Sequence, residues 1–186
     1  YTYFLIMTQI YATYDGNACV NAEFSVGLGI TPGSGTISIG NTAVSLPKKG
    51  TLVFTGPGGS STWGNVYCVN PRIEEDSLGG KKLVATIYDK RWAWKFGYLV
   101  GKWNTPKADG TTNQNKTLAE LFAYCLDALG ETSYSIYDMP SPAVYPEVNW
   151  EYENPANAMQ ELCDRYGLVI GLQSGASGTI DIRAYN

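Results

Sequence analysis

The chain has 186 residues, of which 44% are apolar, and a net charge of −4; this is enough apolar material for one sizeable core or two small ones, and it excludes a disordered chain. The acidic balance offers no basic field to a phosphate backbone and makes duplex nucleic acid a poor partner. The longest apolar runs, at residues 3–7 and 168–172, fall far short of the ~20 residues of a membrane-spanning helix.

Read from the start, the chain opens Tyr-Thr-Tyr with no basic region and no small-residue cleavage site, so no secretory signal is expected. Residues 24–54 alternate β-prone pairs with turn residues, as in Thr31-Pro32-Gly33-Ser34-Gly35, and predict short strands joined by tight turns. Residues 55–61 are expected to form a flexible loop, with the next strand beginning at Val66. Residues 82–89 and 92–103 read as two long strands. In the second, Trp92, Trp94, Phe96 and Tyr98 share one parity and would line one face. Residues 104–115 break the sheet as a polar connection.

After Lys116, Thr117 and Glu120 make a capping box. Leu118, Leu121, Phe122, Cys125, Leu126 and Leu129 then recur at helical spacing until Gly130. Residues 144–152 read as extended, and Asn154-Pro155 starts a second helix with Ala158, Met159, Leu162, Cys163 and Tyr166 on one stripe and Gly167 at its end. Residues 168–172 and 179–185 predict a closing hairpin. Because the last strand runs to the end of the sequence, a longer polypeptide is expected.

The sequence has no histidine, which removes the usual general base, the Ser-His and Cys-His nucleophile pairs and the commonest zinc ligand. Cys19, Cys68, Cys125 and Cys163 lack metal-ligand spacing and are expected as reduced, buried thiols, in keeping with assembly inside a cell. No catalytic, metal or cofactor site is predicted. Glu147, Glu151, Glu153, Asp164 and the run Glu74-Glu75-Asp76 are the carboxylates available for glycosidic chemistry. The plainer reading of Glu74 to Asp76 is a solvated turn, and that of the three glutamates is charge favourable to the second helix's N-terminus. Gly27-Leu28-Gly29 lacks the strand-to-helix setting of a dinucleotide site, Gly58-Gly59 lacks the Lys-Ser/Thr pair of a phosphate loop, and Asn115-Lys116-Thr117 is better explained by its capping threonine than by glycosylation.

Fourteen tyrosines and five tryptophans in a chain of only 16% charged residues suit buried or interfacial rings. The Trp92 to Tyr98 set is expected to fill a core. Trp103, Tyr134, Tyr137, Tyr145, Trp150 and Tyr152 are the candidates for a protein interface.

Three stretches taken together resemble a known family: Asp89-Lys90-Arg91-Trp92-Ala93-Trp94 continuing to Gly97 and Asn104; Thr117-Leu118-Ala119-Glu120-Leu121 running to Leu129-Gly130-Glu131; and Pro146-Glu147-Val148-Asn149-Trp150 followed by Asn154-Pro155 and the helix to Gly167. Their order is similar to that of tail-hub or baseplate-hub proteins of tailed bacteriophages. The likeness covers the C-terminal half best, with Gly29-Ile30-Thr31-Pro32 as the anchor in the first part. It implies a β-barrel-like tube domain assembled with copies of itself as a ring, typically a homotrimer, that joins the tail tube to the tip or spike and lets DNA pass without binding it specifically. It also implies a place in the virion tail after assembly in the host cytoplasm, and contributes no catalytic residues.

The expected fold is thus α+β and predominantly β, with barrel-like strands and two short amphipathic helices. Residues 1–104 form a β-rich region, 105–116 a linker and 117–186 a helix-extended-helix-hairpin region. The expected function is structural, in a tail or baseplate hub. The rival from another class is a carbohydrate-binding module of a virion tip using Trp and Tyr platforms, and a third reading is a lysozyme-like enzyme acting through carboxylates.

Overall fold

The computed structural model describes residues 11–75, 78–107, 109–111 and 114–184. The apolar run at 3–7, Asp76 and the last expected strand residue, Tyr185, lie outside them. The architecture is predominantly β with some helix, divided into two compact units that interleave along the chain. The first gathers the described residues up to Val26 with Gly33–Lys90 and Ser174–Gly178. The second gathers Gly27–Pro32, Arg91–Gln173 and the residues from Thr179 on.

The first unit contains β1 (Tyr11–Tyr14), β2 (Asn17–Cys19), β3 (Asn21–Ser25), β4 (Ser34–Ile39), β5 (Lys49–Gly56), β6 (Gly59–Glu75) and β7 (Lys81–Tyr88). They pair antiparallel in the order β2-β1-β5-β6-β7-β4-β3. The two edge strands are separated in the chain by Val20 alone, whose amide donates to the Ser38 carbonyl at 2.8 Å. The sheet must therefore curl until its ends meet. Among the described residues no pairing between β2 and β3 closes it, and the sheet they form is open and barrel-like, not a closed barrel. Alternate residues Ile37 and Ile39, Leu83, Ala85 and Ile87, and Val66 and Cys68 fill the inside with Leu52 and Tyr14, as the two-residue period of a strand requires. The fully buried Tyr14 hydroxyl donates to the Val66 carbonyl at 3.0 Å.

The expected flexible loop at 55–61 is instead a tight hairpin: Gly56 faces Gly59 and Thr55 faces Ser60, leaving Pro57-Gly58 as the turn. Strand β6 accordingly starts at Gly59, not at Val66, because the ladder from β5 holds that whole stretch. Glu74 and Glu75 also belong to β6 and not to a turn; Glu74 pairs with Arg72 at 2.6 Å and Lys82 at 4.0 Å. The segment Ser174–Gly178 runs beside β6: Gly64 and Gly175 are linked by an amide-to-carbonyl bond of 2.9 Å, and the Lys90 ammonium donates to the Gly178 carbonyl at 2.8 Å. A Cβ on Gly64 would stand 1.7 Å from the Ala176 oxygen, so only glycine permits this approach.

The second unit holds β8 (Leu99–Trp103), α1 (Leu118–Ala128), β9 (Tyr134–Ile136), β10 (Val148–Glu153), α2 (Pro155–Tyr166), β11 (Leu168–Gln173) and β12 (Thr179–Ala184). Strands β8 and β10 pair antiparallel as a ribbon. Strand β12 pairs antiparallel with β11 and parallel with β9. Both helices begin as their sequences predict. The Thr117 side chain accepts from the Glu120 amide while Glu120 reaches back to the Thr117 amide, and the Asn154 side chain accepts from the amides of Ala156 and Asn157. Gly130 and Gly167, at φ 73° and 66°, supply the left-handed stops. The helical stripes of Leu121, Phe122, Cys125 and Leu126 and of Met159, Leu162 and Cys163 pack with Ile170, Ile180 and Ile182 in one core.

Residues 92–103 are not one long strand. Lys90–Phe96 forms a 3-10 helix and only Leu99–Trp103 is extended. The cause lies in what must be buried. A 3-10 turn sets every third side chain on one face, and here Arg91 and Trp94 point inward. The Arg91 guanidinium donates to the carbonyls of Gly27 and Gly29 at 3.0 and 2.6 Å, and the Trp94 indole donates to Glu131 at 2.8 Å. The expected shared aromatic face does not exist: Trp94 is in the core, while Phe96 and Tyr98 are exposed.

Candidate protein-interaction surface

The six residues picked out as interface candidates separate by burial. Trp103 and Trp150 are inside the second unit, 7% and 6% exposed, with ring centroids 5.4 Å apart. Tyr124, which the sequence reading passed over, packs edge-on to Trp103 and stacked on Trp150. Gly101 makes room for this cluster, since a Cβ there would collide with the Trp103 ring. Buried rings cannot serve as platforms for a sugar or a partner, and the inward parity of Trp103 in β8 and Trp150 in β10 is the reason.

Tyr134 is half-buried, and its hydroxyl donates to Asp127 at 3.2 Å. Desolvation first, and the Asp127 charge second, push its phenol above the ordinary range. Tyr137 and Tyr145 are exposed, and the Tyr137 hydroxyl reaches Asp181 at 3.4 Å. Tyr152 is the most exposed of the six, at 80%. It is also the extra residue where the β8–β10 register shifts between Glu151 and Glu153, and it adopts φ 59°. A left-handed conformation is costly for a bulky residue. The bulge turns Tyr152 out towards Tyr98, 68% exposed, with ring centroids 6.2 Å apart.

Val100 faces outward in β8, and Phe96 and Tyr98, 70% and 68% exposed, lie just before the strand. The Lys95 ammonium lies 4.0 Å over the Trp92 ring and 5.0 Å over Phe96. The second unit thus exposes the ring pair of Tyr98 and Tyr152 and, beside Trp92, the ring of Phe96; of the exposed Phe96, Tyr98 and Tyr152 only Tyr152 is among the six candidates. Exposed rings gathered in one place are the raw material of protein contacts. Two of the carboxylates considered for catalysis have local partners: Asp164 accepts from Gln160 at 2.8 Å, and Glu151 from Asn149 at 3.4 Å. Among the described residues no helix is long and apolar enough to cross a membrane.

Two solved structures share this arrangement over nearly its whole length. The 43 kDa tail protein of prophage MuSo2 from Shewanella oneidensis superposes with a TM-score of 0.59 at 11% identity, covering 94% of this chain and 53% of its own. The tail protein from Neisseria meningitidis MC58 gives 0.60 at 13% identity, covering 93% and 51%. The fold is the one these two tail proteins share. The chain spans about half the length of these two tail proteins. No family model and no curated protein matches the sequence.

Proposed function

We propose that this chain is a structural subunit of a phage tail and that, within the tail, it builds the hub, a ring of three copies joining the tail tube to the tip. The observation that carries the reading is the tail-protein fold over 93–94% of the chain. The exposed Phe96, Tyr98 and Tyr152 supply it with apolar contact area, and the exposed Tyr137 and Tyr145 are further contact candidates. Its partners are copies of itself and the neighbouring tube and tip proteins, DNA passes without specific binding, and the protein resides in the virion tail after assembly in the host cytoplasm. The role is mechanical and not catalytic. Light scattering coupled to size-exclusion chromatography tests it, with particle imaging of the peak: a ring of defined copy number is expected, and a strict monomer with no affinity for tube or tip proteins overturns it.

A further inference from the structure

The curled sheet of the first unit carries a polar array in register on the face opposite its core. Glu23 of β3 stands opposite Thr36 of β4, and Thr36 opposite Thr86 of β7. Two residues along, Ser25, Ser34 and Tyr88 repeat the row, and Tyr67 of β6 lies beside Tyr88. Residues two apart in a strand share a face, so these side chains project together while Ala22, Phe24, Ile37, Ala85 and Ile87 belong to the core side. The two rows line a groove of about 470 Å³. Gly35 forms part of its wall, where the β3 backbone passes so near that a Cβ would overlap the Glu23 carbonyl.

The chemistry of the lining is selective. Four aliphatic hydroxyls and one phenol can each donate and accept, and the exposed Glu23 carboxylate is a charged acceptor for paired hydroxyl donors. No lysine or arginine lines the groove, which disfavours phosphate or sulfate, and its few apolar side chains disfavour an acyl chain. Strands about 4.8 Å apart, with rows about 7 Å apart, set these groups on the scale of a sugar ring.

We propose that this groove binds a saccharide, with Glu23 accepting from neighbouring sugar hydroxyls, Thr36, Thr86 and Ser34 completing the hydrogen bonds, and Tyr88 offering its ring as a wall. The groove is built from the first unit alone and does not rest on ring assembly: a monomer that binds sugar supports the groove and overturns the ring.

Labelled chain on a glycan array, followed by saturation-transfer NMR with the monosaccharides of any bound glycan, tests the inference. The variants are Glu23→Gln, at an exposed position, and Thr36→Val with Thr86→Val, which keeps side-chain shape and strand preference; thermal melts confirm that each folds. Binding at least tenfold weaker in both, with unchanged melts, is the expected result. An array on which no saccharide binds, or a bound sugar retained by both folded variants, overturns the proposal.

Discussion

Tyr152 shows how one residue can serve assembly at the expense of its own conformation. With a left-handed backbone and an 80% exposed ring, it has only its contact with the exposed Tyr98 ring to set against the strain, which for such a residue is about 1–3 kcal/mol. Tyr152→Gly is expected to raise the melting temperature by a few degrees and to weaken self-association, a pair of opposite effects that calorimetry and light scattering measure together. A second residue-scale expectation concerns pH. Burial pushes the Cys163 thiol up to about 12 and moves those of Cys125, Cys68 and Cys19 upward as well, while burial and the neighbouring Cys68 and Asp15 raise the Tyr14 phenol. Folding favours the neutral form of each group, so its contribution is complete below the ordinary values of 9.0 and 10.0 and is lost as pH rises beyond them. Urea melts should be flat from pH 7 to 8.5 and fall above pH ~9. Three of the four cysteines expected to be buried are so, but Cys19, on the edge strand β2, is only half-buried; iodoacetamide at pH 7.5 should therefore modify Cys68, Cys125 and Cys163 only after denaturation.

At the scale of elements, the helices were legible and one strand was not, for a common reason. Capping is local: Thr117 with Glu120, and Asn154 with Pro155, are decided by residues within one turn. Asn154 does more than its motif announces, because its amide also donates to the carbonyls of Trp94 and Gly97 at 2.9 and 3.2 Å. Asn154→Ala should therefore cost more than Thr117→Ala, about 2 against about 1 kcal/mol in chemical denaturation. Equal losses would mean that the two tertiary bonds contribute nothing. The stretch after Asp89 reads as a strand because Trp92, Trp94, Phe96 and Tyr98 imitate a two-residue period. What decides its structure is the distant carbonyls of Gly27 and Gly29 that Arg91 must reach, and no local pattern announces them. The hydroxyl array was likewise present in the sequence as Ser34, Thr36 and Ser38 and as Thr86 and Tyr88, but strand parity becomes a site only when register brings separate strands together.

At the scale of the whole molecule, composition announced the low-charge, ring-rich surface, and burial redistributed it. Trp103 and Trp150 went inside, and Phe96 and Tyr98 took their place outside. An assembly resting on such apolar contact should keep its mass when salt is raised from 0.1 to 0.5 M, since screening acts on exposed charge pairs. Dissociation over that range would show that ion pairs hold the copies together. The interleaving of the two units, through Gly27–Pro32 and Ser174–Gly178, left no mark in composition, because short Gly-rich segments of this kind read as ordinary turns.

The single-residue joint at Val20 sets the girth of the seven-stranded sheet. With one amino acid spanning the seam, the two edges have no slack, and an eighth strand cannot slip between β2 and β3 without breaking the bond from Val20 to Ser38. A short glycine insertion at this point would act as a loosened hinge, letting the two edges part while every other ladder stays in place.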